Sequence, residues 1–167
     1  NSDLANDLGN LVHRTLTMIQ GYFKGTIEPG EAEQDVDRNV REAFDALKGK
    51  VADLCESYAL NRALEEIWVY VNDVNKYLAA NEPWKLAQDE ARRPRLARIL
   101  YQTAAAIRGL AFLVEPVMPD SCRKIWEFLG EPGALEDVTY DDFKFDGLRP
   151  GQKIQRHTPL FPRVVLE

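Results

Sequence analysis

Two side chains near the N-terminus stand at a spacing that can do chemistry. Asn10 and Arg14 are four residues apart, so on a helix they project side by side. An amide beside a guanidinium can read a nucleobase edge and hold a phosphate or a base plane. The same pair on a plain solvated helix face would do neither, and the two residues alone leave both readings open. Trp84 follows Pro83 at a junction between helical runs. An indole exposed there can stack on an unpaired base, whereas one turned inward would close the end of a bundle. Beside it lies Arg92-Arg93-Pro94-Arg95, with Arg98 beyond. This cluster can contact phosphates or be a solvated helix start. Arginines in a helix's first turn oppose its dipole, so capping does not explain them. Asn75 and Lys76 come shortly before Trp84; they border the same surface or serve as polar groups near a helix end.

Other chemistry lacks the residues it needs. His13 and His157 are the two histidines, far apart in the chain. No H-E-x-x-H, E-x-x-H or C-x-x-C occurs, so no metal ligands are expected. No G-x-x-x-x-G-K-[ST], G-x-G-x-x-G or G-x-S-x-G occurs, so neither a standard phosphate cradle nor a nucleophile elbow is expected. Cys55 and Cys122 have no local cationic motif and each reads as a buried thiol. No catalytic residue is assigned.

The elements that must carry these groups are helical. A chain of 167 residues fits one domain with one core. Apolar residues recur every three or four positions in five runs. The first spans about 2–20, capped by Ser2, with Leu4, Leu8, Leu11, Val12, Leu16 and Ile19 on one face. The second starts near Gln34 and carries Val36, Val40, Phe44, Leu47, Val51, Leu54 and Tyr58. The third, 60–80, carries Leu60, Ala63, Leu64, Ile67, Trp68, Val71, Val74 and Leu78. The fourth, 94–114, places Leu96, Ile99, Leu100, Thr103, Ile107, Leu110 and Val114 on one face. A short fifth follows Pro119, with Ile125, Trp126 and Leu129 inward and Gly130 closing it. Trp68 and Trp126 are expected in the core. The expectation is therefore an all-α bundle of about five helices over 2–130. Residues 131–167 read as an irregular tail packed along it, with a short strand at 152–155.

Charge is unevenly spread. The net value is −6, from 21 Lys and Arg against 27 Asp and Glu, which argues against a binder that works through an overall positive field. From Glu28 to Asp53 eight acids oppose four bases, and from Trp84 to Arg108 six bases oppose two acids. No apolar run reaches membrane length and no signal peptide opens the chain, so a reducing cytoplasmic setting is expected. Without an initial methionine, the chain reads as starting inside a longer protein, and Leu166-Glu167 as a cloning remnant.

Read together, several segments resemble the anticodon-binding domain of methionyl-tRNA synthetases, a class I family. Asp7-Leu8-Gly9-Asn10-Leu11-Val12-His13-Arg14-Thr15 resembles that domain's first helix with its N-L-x-x-R element. Asn75-Lys76-Tyr77 followed by Pro83-Trp84 resembles its N-x-Y…P-W element. Glu115-Pro116-Val117-Met118-Pro119 is similar to the link before the last bundle helix, and Pro159-Leu160-Phe161-Pro162-Arg163 to the segment that ends the domain. The resemblance runs through essentially the whole chain, in order. His13 departs from it, standing where the family often has a small residue.

The resemblance implies an antiparallel helix bundle that recognises the CAU anticodon of methionine tRNAs. Trp84 would stack on the first anticodon base, with Pro83 fixing its entry angle. Asn10 and Arg14 would contact anticodon bases, with Asn75 in the same set. His13, Lys85, Arg92, Arg93 and Arg95 are candidates for RNA-backbone or interdomain contacts. The implied partners are methionine tRNA and a catalytic domain elsewhere in the parent, and neither a membrane nor DNA. ATP and methionine would be used in that catalytic domain, with no cofactor in this segment. Two alternatives remain at this point: an adaptor bundle whose acidic second helix binds a basic partner, and the equivalent domain of a related class I synthetase.

Overall fold

The computed structural model describes residues 4–161, with side chains from residue 7 onward. Ser2, Pro162-Arg163 and Leu166-Glu167 lie outside the described residues. One π-helical segment, Leu4–Gly9, leads into α1 (Asn10–Phe23). There follow α2 (Asp35–Glu56), α3 (Leu60–Ala80), the one-turn α4 (Pro83–Leu86), α5 (Arg93–Val114) and α6 (Pro119–Phe128). The link of residues 57–59 is short, which makes α2 and α3 antiparallel neighbours.

Helix α5 is the axis of the bundle. Every residue from Arg95 to Ala111 except the half-buried Arg98 is buried, where the sequence suggested a single inward face. The run Ala104-Ala105-Ala106 and Gly109 lets other elements approach from all sides. A Cβ on Gly109 would collide with the Phe44 ring of α2. Phe44 in turn meets Tyr70, Phe143 and Phe145 at ring-centroid distances of 5.9, 5.6 and 5.6 Å, so the tail completes the core rather than merely lying on it.

Two buried polar clusters hold the elements in register. In the first, Arg95 of α5 makes a bidentate pair with Asp37 of α2: Nη1 donates to Oδ2 at 2.6 Å and Nη2 to Oδ1 at 3.0 Å. The Tyr77 hydroxyl of α3 donates to Oδ1 at 2.5 Å. Asp37 also accepts from the Gln34 amide at 2.9 Å, which caps α2. Gln102 Nε2 donates to the Asp37 carbonyl at 2.7 Å. In the second cluster Arg108 donates to Glu131 at 2.6 Å and to the Lys144 carbonyl at 2.9 Å. Its guanidinium lies over the Trp126 and Phe143 rings. Gln152 joins this cluster by donating to the Leu129 carbonyl and to Glu131.

Several expectations need correction. The expected strand at 152–155 is a single antiparallel bridge, Thr26 with Lys153, because only a few backbone groups of residues 25–27 face the tail. Val36, Tyr58 and Leu60, placed on inward stripes, are 47%, 93% and 60% exposed. Val36 lies in the first turn of α2, and Tyr58 and Leu60 lie at the α2–α3 link, where each stripe outruns its partner helix. Trp68 is half-buried against the core rather than within it, and Cys55 is exposed. Cys122 is buried, which pushes its thiol up to about 12 with a smaller push from Glu115.

Burial alone would raise the Asp37 carboxyl, but the hydrogen bonds from Arg95, Tyr77 and the Gln34 amide, with the Arg95 charge, bring it below its ordinary 3.8. A depressed carboxylate stabilises the fold above its unfolded pKa and loses that contribution as pH falls through the folded one. Urea unfolding should therefore show stability dropping as the pH is lowered below about 4. Asp37→Asn should remove this residue's share of that acid slope. It should also cost roughly 3–5 kcal/mol at neutral pH, since it strands Arg95 in the interior.

Candidate nucleic-acid interface

The first candidate cluster lies on α1. Leu8, Leu11, Val12, Thr15, Leu16 and Ile19 are buried, leaving Asn10, His13, Arg14 and Thr17 exposed on the opposite side. Asn10 is the first α-helical residue after the π-helical segment. Among the described residues neither the Asn10 amide nor the Arg14 guanidinium has a hydrogen-bond partner, so their donors are available.

Trp84 is held by backbone geometry. Glu82 adopts a left-handed conformation, φ 44°, which turns the chain sharply at the end of α3. Pro83 follows at the first position of α4, where its fixed φ suits a helix start. Pro83 and Leu86 are buried, so the turn is anchored by its apolar side and Trp84 is left 41% exposed. The Asp37 cluster reaches this turn. Arg95 Nη2 donates to Asn81 Oδ1 at 3.0 Å, and Asn81 Nδ2 donates to the Tyr77 carbonyl at 2.8 Å.

Helix α1 and this turn are tied together at two points. Asn75 Nδ2 donates to the carbonyls of Val71, at 3.1 Å, and of Asp7, at 3.3 Å, joining α3 to the π-helical segment that leads into α1. Arg93 Nη2 donates to the Tyr22 carbonyl at 2.9 Å, and its guanidinium lies 4.4 Å from the Phe23 ring centroid, joining α5 to the end of α1. Trp84 sits on the link between those two helices. Asn75 thus has its amide donors committed within the protein.

The cationic segment is not one patch. Arg95, expected to contact RNA backbone or another domain, is 7% exposed and committed to Asp37. That expectation fails because a buried carboxylate claims its guanidinium. Arg93 is half-buried in the contacts just described. Arg98 donates to the Glu31 carbonyl at 2.7 Å and lies over Tyr101. Lys85 pairs with Glu82 at 2.7 Å and stays largely exposed. Arg92 is exposed, with no side-chain partner among the described residues. A polar cleft of about 410 Å³ behind the turn is lined by Asn81, Glu82, Lys85, Asp89, Arg92 and Arg95.

The tail supplies a residue that sequence reasoning left unassigned. His157 packs edge-on against His13, with ring centroids 5.5 Å apart. No local signal in the sequence pairs residues 144 positions apart.

Among the described residues no group of three or more His, Cys, Asp or Glu is placed to hold a metal ion. None of the described helices is long and apolar enough to cross a membrane. What the arrangement offers, among the described residues, is one exposed indole, the Asn10 amide, the Arg14 guanidinium and the exposed Arg92. Those groups suit unpaired nucleobases.

Comparison with known proteins defines the class. Residues 37–155 match the family model of the anticodon-binding domain of tRNA ligase, and the chain belongs to that family. Within it, the whole chain is 39% identical to the methionine–tRNA ligase of Caldanaerobacter subterraneus and 37% identical to that of Fusobacterium nucleatum, in each case spanning 26% of the relative. The fold matches free Mycobacterium tuberculosis methionyl-tRNA synthetase with a TM-score of 0.89 at 34% identity, covering 100% of this chain and 34% of that one. It also matches the same organism's enzyme bound by methionyl-adenylate, with a TM-score of 0.87 over 97% of this chain. The chain thus spans about a quarter of the length of these curated relatives.

The three neighbouring arginines should separate cleanly in urea unfolding. Arg92→Ala should stay within about 0.5 kcal/mol of the parent. Arg93→Ala should cost roughly 1–2 kcal/mol through its carbonyl and aromatic contacts. Arg95→Ala should cost roughly 3–5 kcal/mol, because Asp37 is left buried and unpaired. Equal effects for all three would contradict the division made here.

Proposed function

We propose that this chain reads the CAU anticodon of methionine tRNA on behalf of a methionine–tRNA ligase. The parent's ATP-dependent joining of methionine to tRNA takes place in a catalytic domain outside these residues. The observation that carries the reading is Trp84: a large indole kept exposed at a turn whose every other support is buried or hydrogen-bonded. In this reading the first anticodon base stacks on Trp84. Pro83 contributes by holding the turn rather than by touching RNA. Asn10 and Arg14 take base edges, and the Asn75 oxygen borders them. Lys85 and Arg92 meet the RNA backbone near the cleft. Such an enzyme works in the cytoplasm, with tRNA and its own catalytic domain as partners.

An anticodon is a sequence of unpaired bases, which can splay outward and stack on an aromatic plane. The protein gains from keeping that plane rigid, because ordering it on binding would cost conformational entropy. The adaptor alternative draws on an apolar groove of about 420 Å³ between α2 and α3, lined in part by Val36, Val40, Tyr70 and Val74. The likeness to tRNA ligases over the whole chain favours the RNA reading over it.

Titration of the full chain with a methionine anticodon stem-loop tests the proposal. Trp84→Ala should weaken binding by roughly 1–3 kcal/mol, about 5- to 150-fold, with an unchanged thermal melt. A stem-loop with a substituted anticodon should bind more weakly to the parent chain. Unchanged affinity in Trp84→Ala would remove the stacking role, and equal binding of both stem-loops would remove anticodon reading altogether.

A further inference from the structure

The tail does more than close the core. Its last described residues run back along α1. A Cβ on Gly9 would stand 2.9 Å from the Phe161 ring, His157 meets His13, and Thr17 Oγ1 lies 3.4 Å from His157 Nε2. Gly9, His13 and Thr17 form one row of α1, each four residues from the next. The tail therefore runs beside that row, with His13 and Thr17 still exposed, and leaves the adjacent row, with Asn10 and Arg14, open. The segment is anchored just upstream, where the Gln155 amide donates to the Phe128 carbonyl at 2.8 Å and the Ile154 amide to the Gly25 carbonyl at 2.9 Å.

The result is a pair of imidazoles beside the proposed base-reading side chains. Three elements surround it. Helix α1 contributes His13, its charged neighbour Arg14, and the Thr17 hydroxyl. Helix α6 contributes the uncharged Phe128 ring, 6.2 Å from the His157 ring centroid. The tail contributes His157 and its exposed neighbour Arg156. Burial, and secondarily the like charge of His13, hold the His157 imidazole below the usual 6.5. No carboxylate among the described residues acts on that ring. Two imidazolium rings at this separation repel each other, and among the described residues no carboxylate acts on His157 to balance that repulsion. An anion would: it turns the repulsion into two attractions.

We propose that His13 and His157 together seat a backbone phosphate of the anticodon loop, next to the bases offered to Asn10 and Arg14, and that the pair takes up protons as the phosphate binds. This rests on the anticodon-reading function proposed above. It assigns the tail a direct part in RNA binding, with His157 both a contact and a positioning residue for His13. The sign follows from linkage. An anion bound to the protonated pair raises its proton affinity, so RNA must bind more tightly as pH falls through the imidazole range.

The test is the affinity of the full chain for the CAU stem-loop and for a substituted one, between pH 8 and 5.5 at fixed ionic strength, with a chelator present. Phosphodiesters do not titrate in this range. The parent chain should tighten on the CAU stem-loop by about tenfold per pH unit where one proton is taken up. His13→Gln and His157→Gln should each flatten that dependence, and the double variant should be no flatter than either. A flat profile in the parent, or an unchanged slope in His13→Gln, overturns the phosphate seat. His13→Gln alone decides the matter if His157→Gln loosens the tail, since His13 is on the exposed side of α1. A pH dependence that vanishes on chelation alone points to a metal ion on the two imidazoles and also overturns it. The two proposals fail separately. Loss of discrimination between the stem-loops at pH 8 removes anticodon reading, whereas intact discrimination with a flat pH profile removes only the phosphate seat.

Discussion

The buried contact between Asp37 and Arg95 is the constraint on which the rest of the arrangement hangs. Placing a carboxylate and a guanidinium in the interior is costly unless nearly every lone pair and N–H is used. Here they are used by parts that would otherwise be free to slide. Asp37 opens α2, Tyr77 ends near the C-terminus of α3, and Arg95 opens α5. Three helix ends are thereby fixed at one point by directional bonds. Apolar packing alone would tolerate small shifts of one helix along another, whereas a bidentate pair does not.

That point lies directly beneath the turn that presents Trp84. Asn81 accepts from Arg95, and the left-handed Glu82, Pro83 and Trp84 follow in the next three residues. The unfavourable backbone at Glu82 persists because both sides of it are held: Asn81 by the ion pair and Pro83 by burial. An exposed tryptophan normally loses rotamer freedom and water-avoiding contacts when it is held up to solvent. The turn makes that presentation a consequence of the fold and not a conformation to be selected on binding. The same logic covers α1, whose lead-in segment and far end are fastened by Asn75 and Arg93 to the helices on either side of Trp84.

How much of this was legible in the sequence depended on range. The helices were, because a 3.6-residue period is a local property; α3 runs over Leu60–Ala80 as its stripe suggested. The ends of stripes were not. Val36 and Leu60 continue the period but extend past the partner helix, and periodicity carries no information on where a neighbour stops. Helix α5 was read as one-faced because Ala, Gly and Thr score weakly as apolar, although small residues are what allow a central helix to be approached from all sides. Of the candidate site, Trp84, Asn10 and Arg14 are singled out by local spacing and by resemblance, and all three are exposed. Arg95 was misjudged as a surface cation because its partner lies 58 residues away. The His13–His157 contact was invisible for the same reason.

The distribution of charge takes on a different meaning once the chain is folded. Along the sequence, an acidic stretch and a basic one suggested separate patches, the basic one beside Trp84 and ready for phosphates. In the folded chain much of the basic stretch is committed within the protein. Asp37 takes Arg95, and Glu33 takes Arg41 at 3.0 Å. The Glu31 carbonyl takes Arg98, while Glu131 from the tail takes Arg108. Of the six cations between Trp84 and Arg108, Arg92 is the one without a side-chain partner among the described residues. A protein of net charge −6 with most of the cations near Trp84 committed within the fold attracts RNA poorly from a distance. In the proposed function, recognition would then rest on short-range contacts that require unpaired bases: a plane to stack on, donors matched to base edges, and the proposed phosphate seat at close quarters. That arrangement would favour discrimination over affinity, because a double-stranded or mispresented RNA offers the same phosphates but no unpaired base to stack on an exposed indole.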